Sequence, residues 1–321
     1  MIEARHIVTR PELETSLARL RSLVSDPRAG IHGPGSAVWR WHREAIVFLG
    51  GGRAALLQLA HPFVAHAIDQ HSKTRDDVAG RFRRTFENVF TMTFGALDDA
   101  CNAARRVHNI HSRIHGEIGE DIGAFARGTP YHANDLQALL WVHATLMHSA
   151  LQVIELVIRP LSAAERDAYY DDTRRFAYLF GIPDSALPVD WTAFDAYFHR
   201  MVASSEIAVG GPAREMARFL FRPPRPAQAP LFGWLEQLTC GLLPAELRAG
   251  YGLRYGRRER AVFAASIAAL RPAVRLLPRG LRYLPAYVDA QRTLEGRGPS
   301  RVSQAVARLL TYGGRSGVSG G

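Results

Sequence analysis

Cysteine is scarce. Cys101 and Cys240 are the only two in 321 residues, with no CxxC and no Cys/His finger spacing, which excludes a disulfide framework and a zinc finger. Lysine is scarcer still. Lys73 stands alone beside 39 arginines, a bias that reflects genome composition more than recognition. No P-loop, GxGxxG or HExxH occurs, which argues against an NTPase, a nucleotide-dependent dehydrogenase and a zincin. Paired ExxH motifs on bundle helices are missing too, which argues against a di-iron carboxylate oxygenase. The start, MIEARHIVTRPELE, lacks an apolar core, so no secretory signal and a cytoplasmic protein are expected. The most apolar stretch, 138–158, carries His143, His148 and Glu155 and reads as a buried helix rather than a membrane span.

Strand-like alternation and repeats of 20–50 residues are absent as well,. Helix signals take their place. Thr9-x-x-Glu12 and Ser162-x-x-Glu165 are capping boxes, and Ser36, Asn134 or Asp135, and Asp190 are N-cap candidates,. The glycines at 50–52 predict a break, Pro62 a restart, and 97–116 one helix,. The expected fold is all-α, a single multi-helix domain of about ten helices with a basic C-terminal extension. The helical domain is expected over 1–253 and the extension over 254–321, ending in a disordered Gly/Ser tail,. Residues 254–321 hold thirteen arginines against three acidic residues, so they carry the whole formal charge of +10. Three prolines there (272, 278, 285) predict short segments,. Arginine interleaved with leucine and tyrosine suits peripheral contact with an anionic membrane. No nucleic-acid motif accompanies the charge, so no nucleic-acid partner is expected.

Histidine is abundant. Ten of the thirteen lie between His42 and His148, and RRVHNIHSRIHG (105–116) places His108, His111 and His115 at i, i+3 and i+7. On a helix the three rings fall within about 60° of arc. One neutral imidazole is enough to hold a haem iron from one side; a polar, histidine-rich helix face is the equal alternative. Arg81, Arg84 and Thr85 form a second polar face in GRFRRTFEN, opposite Phe82, Phe86 and Phe90. Inward arginines need anions, whether a propionate, a substrate carboxylate or a local Asp or Glu. His143 lies among apolar residues of its helix and reads as a hydrogen-bonded core histidine more readily than as a ligand.

Five stretches taken together resemble the rubber-oxygenase (latex-clearing protein) and MpaB-type oxygenase family. They are GGRAALLQLAHPFVAHAIDQHS, RFRRTF…TFG, VHNIHSRIHG, GTPYHANDLQALLWVHATL and ERDAYYDDT…GIP, within 36–205. The resemblance implies a helical protein that holds haem b. It implies His111 as the proximal iron ligand, Arg81 and Thr85 beside the haem, Arg84 in place of a distal lysine, and His143 as a second, structural histidine. The rubber-cleaving members carry a glutamate upstream of the Arg-x-x-x-Thr helix, where this chain reads HPFVAHAID. The resemblance therefore extends to haem binding rather than to polyisoprene cleavage. It implies O2 and an apolar substrate, an isoprenoid or another unsaturated lipid chain, admitted past Phe82, Phe86, Phe90 and Met92. A second reading stays open: a non-catalytic helical protein that binds a lipid or a partner and meets membranes through its basic tail.

Overall fold

In a computed structural model of the chain, residues 5–71 and 87–298 are described. They form helices almost throughout. The N-terminal half holds α1 (Arg10–Ser22), α2 (Ala37–His42), a 3-10 stretch (Ala45–Gly50), α3 (Gly51–Leu59), α4 (Pro62–His71), α5 (described part 87–94) and α6 (Leu97–His111). A two-stranded antiparallel ribbon, β1 (His115–Glu117) and β2 (Pro130–His132), follows. Then come α7 (Leu136–Val153), α8 (Ala163–Tyr178), α9 (Trp191–Ala203), α10 (Gly211–Leu220), α11 (Ala229–Leu242) and α12 (Ala245–Gly250). The C-terminal part holds α13 (Arg257–Leu276), α14 (Arg279–Arg282) and α15 (Pro285–Leu294). The expected all-α single domain is what the chain forms.

Local chemistry starts the helices. At α1 the Thr9 amide donates to Glu12 Oε2 at 2.7 Å, and Ser162 and Glu165 make the same reciprocal cap at α8,. Asp135 accepts the Ala138 amide at 2.9 Å and starts α7, which contains neither glycine nor proline. A π-helical turn (Ile154–Ile158) ends it, and Arg159, which precedes Pro160, turns extended as a pre-proline residue does,. Leu136–Ile158 is long and apolar enough to cross a membrane, yet 61% of its apolar window is buried inside the fold. It packs against α3, α8 and α9. Trp141 anchors it, fully buried, stacked on Phe198 at 5.5 Å and donating to the Leu57 carbonyl at 2.9 Å.

Three local expectations fail for identifiable reasons. The glycines at 50–52 do not break the chain: they carry the 3-10 stretch into α3. A Cβ on Gly50 would meet the Ser149 carbonyl oxygen at 2.8 Å, and one on Gly52 would meet Thr239 Oγ1 at 2.3 Å. These glycines let α3 approach α7 and α11. Gly50→Ala should accordingly cost about 1–3 kcal/mol, the usual price of overpacking. A urea midpoint equal to that of the parent chain would show that the backbone yields freely. The histidine helix ends at His111 instead of 116, and His115 belongs to β1. Finally, α13 runs through Pro272 to Leu276, so of the three prolines only Pro278 and Pro285 start new segments.

The C-terminal elements pack on the rest. α13 lies along α11 and the π turn, with Arg271 Nε donating to the Leu156 carbonyl at 2.8 Å. Leu284 and Tyr287 join Trp39 and Phe94 in one cluster, and Arg282 makes a bidentate pair with the buried Glu44 at 2.7 and 2.9 Å.

Candidate functional site

Beside α7 lies an apolar cavity of about 770 Å³, counted out to its mouth. Its walls come from α2, the 3-10 stretch, α3, α5, α7 and α8, with Leu284 at the edge. Four phenylalanines (48, 90, 94, 176) with Leu146 and Met147 supply most of the surface. The polar groups among the described lining residues include His42, Thr93 and Ser149. Thr93 spends its hydroxyl proton on the Val89 carbonyl at 2.8 Å. His42 Nε2 lies 2.8 Å from the Tyr169 hydroxyl, which itself reaches the Met147 carbonyl at 3.2 Å. If the tyrosine donates to that carbonyl, His42 Nε2 carries a proton and Nδ1 keeps the lone pair.

Ser149 has an unusual neighbour. Arg53, 2% exposed, donates from a terminal nitrogen to Ser149 Oγ at 2.7 Å and from Nε to the Leu242 carbonyl at 2.9 Å. Its guanidinium stacks over Phe198 at 5.1 Å, and burial pushes it down to about 9. It stays charged at neutral pH, directly behind the cavity wall. Because Ser149 Oγ accepts from Arg53, its own proton is left to donate.

His143 stands one turn before Leu146 and Met147 on α7 and stacks against the lining residue Phe176, centroids 6.3 Å apart. It is 1% exposed, and neither ring nitrogen has a hydrogen-bond partner among the described residues. The hydrogen-bonded core role expected of it therefore lacks its hydrogen bond. Burial pushes His42 and His143 down to about 4 and His61 to about 3, so all three are neutral imidazoles at physiological pH.

That neutrality has a measurable consequence. Below the ordinary value of 6.5 the unfolded chain takes up protons that the folded chain refuses. The contribution to stability is complete above 6.5 and declines as the pH drops towards 4, by up to about 1.4 kcal/mol per pH unit for each histidine. Urea midpoints should fall between about pH 7 and about pH 5; equal midpoints would mean that these rings titrate normally.

The histidine face of 105–116 separates into three environments. His108 is buried, with Nε2 3.1 Å from the Val8 carbonyl. His111 is the last residue of α6, half-buried, and is not among the residues lining the cavity. His115, exposed, stacks on its strand partner His132 at 6.2 Å. Arg81, Arg84 and Thr85 lie outside the described residues, as do Phe82 and Phe86. Phe90 lines the cavity as expected, whereas Met92 is buried in the main core. Sequence reasoning missed His42, Arg53, Ser149 and Phe176 as site residues. Only Arg53 carried a signal, an arginine within the apolar run GGRAALLQLA.

Comparison with known proteins adds three findings. The family described as "ER-bound oxygenase mpaB/B'/Rubber oxygenase, catalytic domain" matches residues 39–276. The uncharacterized proteins Rv2237 of Mycobacterium tuberculosis and Mb2261 of Mycobacterium bovis are each 28% identical over 235 residues, covering 70% of this chain and 87% of the relative. No solved structure matches.

Proposed function

The chain belongs to the family of ER-bound oxygenase mpaB/B' and rubber oxygenase catalytic domains, and we propose that it is a haem b-dependent oxygenase acting on an apolar substrate, an isoprenoid or another unsaturated lipid chain. The observation that carries this reading is the phenylalanine-walled cavity beside α7. An apolar cavity with few polar groups is what both a porphyrin and a lipid chain require. Of the buried histidines, His42 lines the cavity and His143 packs behind its wall residue Phe176, so a haem placed there would meet neutral imidazoles. Neutral buried imidazoles keep the lone pair that iron needs, and the nitrogens of His143, which have no partner among the described residues, are ones that a ligand would satisfy,.

His111 is the proposed proximal ligand, with Arg81, Arg84 and Thr85 holding propionate or bound oxygen through charge-assisted hydrogen bonds. A bound haem would supply activation of O2. The chain's own residues do the rest: the aromatic wall excludes water, and Ser149, held by Arg53, presents a hydroxyl donor at the cavity surface. The orphaned nitrogens favour a variant of this reading in which His143 is the ligand. The deciding measurement is a pyridine haemochrome of the full chain purified from haem-replete cells. A b-type spectrum near one haem per chain is expected. Colourless protein that carries a bound lipid would replace this reading with the non-catalytic one.

We also propose peripheral contact with anionic membranes from a cytoplasmic location. Leu276 and Leu281 are 83% and 70% exposed, on a surface that also carries Arg275 and Arg279. Each basic residue near such a surface contributes about 1 kcal/mol. Full chain should sediment with anionic vesicles at low salt and release at moderate salt, and replacing four arginines of 254–321 should abolish this. Equal sedimentation with neutral vesicles, or none with either, would end the idea.

A further inference from the structure

The face of α7 turned towards α9 carries His148. Its ring lies flat on Phe198, centroids 3.8 Å apart and 15° between planes, with Trp191 at 6.1 Å. Its Nε2 is 3.3 Å from Asp195 Oδ1. The other oxygen of Asp195 is 3.4 Å from Nδ1 of His199, one turn further along α9. Each of the three residues offers one ligating atom, and these atoms lie within 4.8 Å of one another. We propose that His148, Asp195 and His199 bind a divalent transition metal of the zinc or ferrous-iron class, bridging α7 and α9.

The donor set suits such ions. Two imidazoles and a carboxylate are borderline-soft nitrogen with hard oxygen, the mixture that zinc and ferrous iron accept. The spacing suits them as well. Ligands around a metal at roughly 2.1 Å sit about 3.4 Å apart in a tetrahedral arrangement; His148 Nε2 is 3.3 Å from Asp195 Oδ1, and His199 Nδ1 is 3.4 Å from Oδ2 while it donates to the Asp195 backbone carbonyl at 2.9 Å. Closing the site requires a swing of His199, whose side chain is 64% exposed, that releases the Nδ1 proton from the Asp195 carbonyl or presents Nε2 in its place. The buried partner is already fixed, since the His148 side chain is 13% exposed and stacked. Arg166, the nearby cation that acts on Asp195, is itself engaged by Glu155 at 2.7 Å. Three protein ligands leave at least one position on the solvent side for water. Ser149, the neighbour of His148, lines the cavity, so the ion would fix the helix that forms one cavity wall. The site shares no residue with the proposed haem ligands.

The test is titration of the full chain, stripped with a chelator, with Co2+ and then Zn2+. Wild type should show a visible d–d band saturating at one cobalt per chain, bleached by Zn2+, and a raised thermal midpoint with Zn2+. Asp195→Asn and His199→Ala should each lower affinity by more than the roughly 10–100-fold that loss of an outer-shell partner costs. The haem content of both variants should match wild type. Absence of the band in wild type, or a band and midpoint shift that survive either substitution, overturns the site. His199 is exposed, so its removal does not threaten folding.

Discussion

Replacing His111 by alanine is expected to give a folded, colourless chain. The residue ends α6 and is half-buried, and a histidine in the last turn contributes at most about 1 kcal/mol through the helix dipole. Haem retention, in contrast, would lose the imidazole proposed to hold the iron, and the Soret band and haemochrome should drop to background. His143→Phe is the paired measurement. If His143 only packs, phenylalanine removes two buried nitrogens that have no partner among the described residues and restores a ring against Phe176. The unsatisfied groups cost about 1–3 kcal/mol, so the variant should be as stable as the parent or more so, with its haem intact. The reverse pattern, normal haem in His111→Ala and none in His143→Phe, would move the iron from α6 to α7. Normal haem in both would refute histidine ligation at either position.

What the sequence made legible was what is settled within a few residues. Thr9 with Glu12, Ser162 with Glu165, and Asp190 cap the helices they were expected to cap, and of the pair Asn134 and Asp135 it is Asp135 that caps α7, because a side-chain oxygen meeting an amide two or three residues on needs no distant partner,. What stayed hidden was set by distant chain. The glycines at 50–52 look like a break, yet their role is fixed by Ser149 and Thr239. His115 continues the helical spacing of His108 and His111 on paper, but pairing with His132 draws it into a ribbon. The cavity is harder still to foresee. Phe90 follows from the periodicity of its helix, but His42, Phe176 and Leu284 converge from three parts of the chain, and Arg53 becomes interpretable only once Ser149, Leu242 and Phe198 surround it. Family resemblance reached the oxygenase class by another route, through the order of five stretches, none of them diagnostic alone.

The C-terminal arginines are not uniform, and Arg282 separates from the rest on energetic grounds. Its partner Glu44 has a side chain 3% exposed and depends on Arg282 for both oxygens; Arg43 approaches no closer than 3.8 Å. Arg282→Ala leaves that carboxylate buried with Arg43, 3.8 Å away, as its remaining ion-pair partner among the described residues, a defect that typically costs about 3–5 kcal/mol,. The loss should reach the cavity. Two residues on, the Leu284 amide donates to the Arg43 carbonyl at 2.8 Å, and Leu284 is one of the residues that line the cavity. Freed of the ion pair, the segment should become cleavable by trypsin near Arg279, and bound haem or lipid should exchange faster. Replacing both partners by apolar residues, Glu44→Leu with Arg282→Met, should recover most of the stability, because the desolvation of two charges is then never incurred. Urea unfolding of Glu44→Leu, Arg282→Met and the double variant gives the coupling directly. An Arg282→Ala midpoint indistinguishable from the parent would mean that Glu44 finds another partner and that Leu284 and Tyr287, packed on Trp39 and Phe94, hold the segment without help from charge.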